Sequence, residues 1–253
     1  MQIQNIQDVV NQLAQIIEQC EATKNKAGFF AALYKRMTVA VMNGIRSNQF
    51  EDGIRMEKLD MIFAQRYLDA YRAYSSKQPC SHSWQFAFDC CADNSLIVLQ
   101  HLLLGINTHI NLDLAIAAAE ATPGNSIHSL QKDFNHINSL ISSLIDDIEE
   151  CLCEIWIPMR MLMKITNGKQ MAVLNFSIDK ARQASWASAV LLANMNANQK
   201  SIYIQQMDGF VKILCTKIKS PDIATHFMLE AIRITEYNDV ARIIKLIDTT
   251  VMN

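Results

Sequence analysis

Helix-breaking residues are scarce in this chain, and that scarcity constrains its fold more than any other feature. The 253 residues include only seven glycines and four prolines, while apolar residues recur at intervals of three and four almost throughout. That period is typical of amphipathic helices, whereas half-buried strands need an alternation of period two. Most glycines and prolines fall between the periodic segments, where turns are expected. The sequence therefore predicts an all-α fold.

The turns divide the chain into a multi-helix bundle of about nine to ten helices. No linker separates the segments, so we expect residues 1–253 to form a single domain around one central polar-cored helix. The loop at 75–83 is the clearest break, and N-G-K-Q at 167–170 is expected to form a surface turn. The helices are expected near residues 6–22, 27–45, 54–71, 84–91, 95–122, 127–165 across Pro158, 177–196, 198–219, 222–236 and 238–251.

Charge and composition disfavour several classes of protein. The net charge is −2 and the 23 Lys and Arg residues are scattered, so nothing favours a nucleic-acid partner. No apolar run approaches the ~20 residues that cross a bilayer, and the first residues lack the pattern of a secretion signal. Seven cysteines without a C-x-x-C pair are expected to be reduced and structural. We expect a cytoplasmic protein without a membrane span.

The central helix carries more polar residues than an apolar helix can bury without partners. Its motif Q-H-L-L-L-G-I-N-T-H-I-N-L-D at 100–113 holds His101, Asn107, His109, Asn111 and Asp113. Each buried polar group left unpaired costs roughly 1–3 kcal/mol, so such a helix must satisfy these groups or use them. The motif is therefore the expected functional site.

Spacing divides the motif into two parts. His109 and Asp113 are four residues apart and share a helix face, whereas His101 is roughly 12 Å of helical rise away from His109. Asp133 and His136 form a similar pair on the next long helix. If the two helices are antiparallel neighbours, these four side chains are predicted to converge on a divalent metal such as Zn, Mn or Fe. A hydrogen-bonded network without metal is the alternative.

Charged residues of the third predicted helix complete the set of candidates. Arg55, Asp60 and Arg66 interleave with apolar residues and are predicted to contribute to catalysis or to hold an anionic group. Exposed charge pairs worth ~0.2–0.5 kcal/mol each are the simpler interpretation of the same pattern. Arg182 precedes Trp186 by one turn, a spacing that allows stacking or an ion pair with a neighbouring helix.

Several motifs together resemble a bacterial family known as a domain of unknown function. They are R-M-E-K-L-D at 55–60, F-A-Q-R-Y-L at 63–68, the 100–113 string and D-F-N-H-I-N at 133–138. The resemblance implies motif positions but no activity. A further likeness, to helical zinc-dependent phospholipase C and P1-type nuclease enzymes, rests on a histidine followed four residues later by an aspartate. The implied family motif positions are Arg55, Glu57, Asp60, Arg66, His101, Asn107, His109, Asn111, Asp113, Asp133 and Asn138.

These observations lead to three functional hypotheses. The first is a metal-dependent hydrolase or lyase that acts on a small or lipid-like substrate through His109 and Asp113, with His101 as an acid or base. The second is a helical protein that binds a small molecule without catalysis. The third is a biosynthetic enzyme without metal that uses His101 or His109 as its base. The sequence leaves substrate and oligomeric state open.

Overall fold

The computed structural model describes residues 3–156, 169–221, 229–230 and 232–249. Every regular element in these ranges is helical, which confirms the predicted all-α fold. The α-helices are α1 (Ile6–Thr23), α2 (Ala27–Arg46), α3 (Gly53–Ser75), α4 (His82–Asp89), α5 (Val98–Thr108), α6 (Leu114–Ala121), α7 (Ile127–Ile155), α8 (Lys169–Asn194), α9 (Ala197–Lys219) and α10 (Val240–Thr249). Short 3-10 turns lie at Cys90–Ala92 and Gly124–Ser126.

Two predicted boundaries differ from the structure. Helix α8 already includes Lys169 and Gln170 of the turn expected at 167–170, and Ser177 does not start the element. Residues 157–168, which carry most of the predicted extension past Pro158, lie outside the described residues. The same holds for 222–228 of the helix expected at 222–236, whereas residues 232–235 are helical.

Side-chain caps fix several helix starts. Ser81 accepts a hydrogen bond from the backbone N–H of Trp84 and so caps α4, where the sequence predicts Ser81 or Ser83 as the cap. For the central helix the sequence predicts Asp93 or Asn94 as the cap, and the structure differs. Its first N–H, that of Val98, donates to the carboxylate of Glu236, 138 residues away in sequence, while Asp93 accepts from Ser95 in the preceding turn. A distant residue therefore caps this helix start.

The central helix runs through the middle of the apolar core. Its first half, α5, packs against α2, α4 and α9, and α6 packs chiefly against α8 and α3. Gly105 allows α2 to approach closely, because a Cβ atom there would lie 2.4 Å from the ring of Phe30. In α6, Ala115, Ala117 and Ala118 are fully buried, so small side chains let its neighbours pack tightly. Close packing on all sides positions the polar motif inside the protein.

The helical stretch Val98–Ala121 is long and apolar enough, by length and composition alone, to cross a membrane. It is 24 residues long, and 72% of its most apolar window is buried within the fold. The stretch is therefore buried to the extent expected of a helix in a protein core.

Candidate functional site

The central helix widens into a π-helical turn at His109–Asp113, the centre of the predicted site. The backbone N–H of Leu114 reaches the carbonyl of His109, five residues back, instead of the usual four. Such turns are rare and are found frequently at functional sites. Here the turn sets the positions of the two side chains at its ends.

His109 and Asp113 form a hydrogen-bonded pair inside the protein. Nδ1 of His109 lies 3.0 Å from Oδ2 of Asp113, and neither residue is more than 4% exposed. Oδ2 also accepts from the indole Nε1 of Trp84 at 2.8 Å, and Oδ1 accepts from Nε of Arg66 at 3.1 Å. Partners from α3 and α4 therefore hold both carboxylate oxygens. The predicted pairing of His109 with Asp113 is present, as a dyad stabilised by Trp84 and Arg66.

The geometry defines the protonation state of His109. Burial is the largest cause that lowers the pKa of His109, and Arg66 adds to it, while the hydrogen bond and charge of Asp113 oppose it. The ring is therefore neutral at neutral pH. Because Asp113 accepts at Nδ1, the proton lies on Nδ1 and leaves Nε2 as an acceptor. Nε2 is buried and has no hydrogen-bond partner among the described residues.

Aromatic rings fix the orientation of this imidazole. The ring of Phe63 stacks on it with centroids 3.6 Å apart and planes 9° apart, and Tyr34 meets it edge-on at 4.4 Å. Rings held on several sides cannot rotate without moving their neighbours. The unpaired Nε2 of His109 is therefore held in a fixed direction before any ligand binds.

His109 lines an apolar cavity of about 100 Å³. Besides Nε2 of His109, the Tyr34 hydroxyl and Oδ2 of Asp60 are buried at this cavity without hydrogen-bond partners among the described residues. An apolar cavity with a few unpaired polar groups is the usual form of a small-molecule site. The lining residues are Phe30, Leu33, Tyr34, Met37, Thr38, Val41, Met56, Leu59, Asp60, Phe63, Ile106, His109, Ile110, Leu114, Ile137 and Arg182.

Asp60 adds a second titratable group to the same cavity. It is 7% exposed, and burial raises its pKa to about 7, with a further contribution from the charge of Glu57. The side chain is therefore protonated in a large fraction of molecules at neutral pH. A protonated carboxyl group and a neutral imidazole on one cavity supply one proton donor and one acceptor. The structure places this predicted site residue in the lining of the cavity that His109 also lines.

Arg182 reaches the cavity from α8. Its Nη2 donates to the carbonyl of Phe134 at 2.6 Å, its Nε donates to Asn138, and its guanidinium lies 4.6 Å from the Phe134 ring centroid. The stacking partner is thus Phe134, which itself packs against Trp186 at 4.9 Å. The sequence-based set of site residues omitted Arg182, although its spacing from Trp186 had indicated a stacking role.

The structure does not bring the predicted metal ligands together. Both oxygens of Asp133 are occupied, one by the backbone N–H of Glu51 and the other by Arg55 and the N–H of Asp52. His136 packs edge-on against Phe50, at 5.4 Å between centroids. In the described parts of the chain, no three His, Cys, Asp or Glu residues are placed to hold a metal ion.

The reason for this difference is the packing of α7. The prediction assumed that α6 and α7 are close antiparallel neighbours, but α8 packs against both of them. Asp133 instead faces the α2–α3 connection, where it stabilises the start of α3. The predicted quartet of His109, Asp113, Asp133 and His136 is therefore divided between two locations. Arg55, predicted to hold an anion, forms an ion pair with Asp133 at 2.7 Å.

His101 belongs to a different environment from His109. It packs edge-on against Phe29, lines a separate cavity of about 70 Å³, and neither ring nitrogen has a hydrogen-bond partner among the described residues. Burial lowers its pKa to about 3. Of the two motif asparagines, Asn107 donates to the carbonyl of Val211 and Asn111 donates to Asn107. These two amides therefore have structural roles.

Comparison with known proteins assigns the chain to a protein family but gives no activity. The model of a family of unknown function, DUF5995, matches residues 6–221. These residues include the π turn, the cavity lining and both histidines of the central helix. Comparison with curated proteins and with solved structures finds no match.

Proposed function

The chain belongs to DUF5995, a family of unknown function, and we propose that it is an acid–base enzyme acting on a small, largely apolar substrate. One observation carries the proposal. Nε2 of His109 is an unpaired acceptor at an apolar cavity, while Nδ1 is held by a carboxylate that is itself held on both oxygens. A histidine oriented in this way by an aspartate is the usual arrangement of a general base.

The residues divide the chemistry between them. His109 accepts a proton from the substrate at Nε2, and the charge that develops on the ring is stabilised by Asp113. Trp84 and Arg66 keep Asp113 in place. Asp60, whose pKa of about 7 keeps part of it protonated, donates a proton on the same cavity. A base and an acid together support eliminations and isomerisations that begin with removal of a proton beside a carbonyl group.

Deuterium exchange tests this proposal before the physiological substrate is identified. A panel of small carbonyl compounds is incubated with the protein in deuterated water, and exchange at the carbon next to the carbonyl is followed by NMR. We expect exchange with some members, and a rate about 10²–10⁴-fold lower for His109→Gln, which keeps a polar side chain of similar length. Exchange that is equally fast in His109→Gln contradicts the proposal.

A binding protein without catalysis is the second candidate, and the apolar lining of the cavity favours it. The two functions differ in what His109→Gln changes. In a binding protein the substitution weakens affinity, whereas in an enzyme it lowers turnover with a smaller effect on affinity. The binding function is supported if no compound of the panel exchanges deuterium but one of them binds tightly and His109→Gln weakens that binding.

A further inference from the structure

Arg182 is a buried cation whose hydrogen-bond and ring partners are all neutral. Its side chain is 4% exposed, and it contacts the Phe134 carbonyl, the Asn138 amide oxygen and the Phe134 ring. Within the described ranges, no carboxylate lies within the 4.0 Å of an ion pair with its guanidinium, Asp60 included. Nη1 has no hydrogen-bond partner among those residues. One edge of the guanidinium is therefore open.

This unpaired charge lies at the cavity of His109. Arg182 is the one Lys or Arg residue among the described residues that line the cavity, and the remaining lining is apolar except for Tyr34, Thr38, Asp60 and His109. A buried charge destabilises a fold unless something compensates for it. Burial lowers the pKa of Arg182 to about 10, against the opposing charge of Asp179, and this still leaves Arg182 charged at neutral pH. Asp179 forms no ion pair with Arg182 within 4.0 Å, so an anion that enters the cavity would supply a direct partner for the guanidinium.

We propose that the cavity binds a small monocarboxylic acid, with its carboxylate against Nη1 of Arg182 and its apolar part between the aliphatic and aromatic side chains. The inference rests on the proposed function and names the substrate class of the same site. A guanidinium pairs well with a carboxylate in a fixed planar geometry. A single cation balances one negative charge, so a carboxylate fits better than a doubly charged phosphate.

The volume limits the size of the acid. An apolar cavity of about 150 Å³ in another protein accommodates benzene. The cavity here is about 100 Å³, two thirds of that volume, so we expect acids smaller than benzoate, with about three to four carbon atoms, such as propionate and butyrate. The carboxylate also fixes the substrate relative to His109, because both ends of the site belong to the same cavity.

The experiment compares an acid with its neutral isostere. Binding of butyrate and butyramide to the full chain at neutral pH is measured by calorimetry, together with the melting temperature at saturating ligand. We expect butyrate to raise the melting temperature and to bind at least about tenfold more tightly than butyramide. The same order is expected for propionate against propionamide.

Variants assign the effect to Arg182. Arg182→Gln should abolish the preference for the acid, whereas Arg182→Lys should retain part of it because the charge remains. Should Arg182→Gln fail to fold, the wild-type comparison of acid and amide still decides. Equal affinity for both members of each pair, or no binding of either acid, overturns the inference.

His109→Gln separates this inference from the proposed function. If both hold, this variant keeps the preference for butyrate over butyramide but loses deuterium exchange. Equal binding of acid and amide combined with loss of exchange overturns the acid preference alone. Retained exchange in His109→Gln together with a clear preference for butyrate over butyramide overturns the catalytic role of His109 alone.

Discussion

The indole Nε1 of Trp84 donates a 2.8 Å hydrogen bond to Oδ2 of Asp113, and this bond ties helix α4 to the π turn of the central helix. The same oxygen lies 3.0 Å from Nδ1 of His109. Trp84 is 2% exposed, so the contact is sheltered from water. Trp84 is thus a structural partner of the proposed base, His109.

Trp84→Phe should therefore impair the site as well as the fold. The substitution removes one donor from a buried carboxylate, which costs about 1–3 kcal/mol, although Arg66 still holds the other oxygen. Chemical denaturation measures the loss of stability. Trp156→Phe is the matched control, because its indole bonds to an exposed Thr235 hydroxyl. Equal destabilisation by the two substitutions would contradict the special role of Trp84.

Gly105→Ala should destabilise the protein strongly. Its Cβ would meet the Phe30 ring at 2.4 Å, so α2 and the central helix would have to separate, at a cost of about 1–3 kcal/mol. Gly209→Ala is the control within α9, because nothing lies within 4 Å of its Cβ position. That change should stabilise the helix by up to about 1 kcal/mol. A thermal melt in which Gly105→Ala matches the wild type would contradict the packing described.

Asp60 should make the protein less stable as the pH rises from about 4 to about 7. Burial raises its pKa from the ordinary value of 3.8 to about 7 in the folded state, so the folded protein retains a proton that the unfolded chain releases in this window. Asp60→Asn should remove this contribution, and Asp69→Asn, at an exposed position of α3, is the matched control for loss of a carboxylate. Urea unfolding across the pH range measures that slope. An identical slope in Asp60→Asn would argue against a raised pKa at Asp60.

His101 should act in the opposite direction at lower pH. Its pKa falls to about 3 in the folded state from 6.5, so its contribution to stability is present above pH 6.5 and is lost as the pH falls toward 3. His101→Leu should therefore flatten the acid side of the stability curve and leave deuterium exchange intact. His128→Gln, at an exposed position, serves as the control. If His101→Leu abolishes exchange, the predicted acid–base role of His101 is supported instead.

Local patterns in the sequence predict the helices and the dyad well. Four-residue spacing in a polar–apolar helix was enough to pair His109 with Asp113, and interleaved charges were enough to single out Asp60 and Arg66. Both inferences depend on residues that are near in sequence or share a face, where helical geometry alone sets distances. Even there, the π turn carries no recognised local signal in the sequence.

Contacts between distant helices could not be predicted in the same way. Asp133 accepts from the backbone N–H groups of Glu51 and Asp52, about 80 residues earlier, because α7 packs against α2. Trp84 and Tyr34 contribute to the site as ordinary apolar residues of other helices, so no motif marks them. The role of Arg182 at the site can be inferred only once the cavity and the neutral hydrogen-bond partners of Arg182 are known.

The protonation state of His109 tests the central claim most directly. Nitrogen-15 NMR of the imidazole at neutral pH distinguishes the two neutral tautomers and the charged form, and the His109→Gln spectrum identifies its signals among those of the six histidines. We expect a neutral ring with the proton on Nδ1 and an unprotonated Nε2 that stays unprotonated as the pH falls through 6.5, since burial lowers the pKa of His109. A proton on Nε2, or a charged ring at neutral pH, would contradict a free base at the cavity.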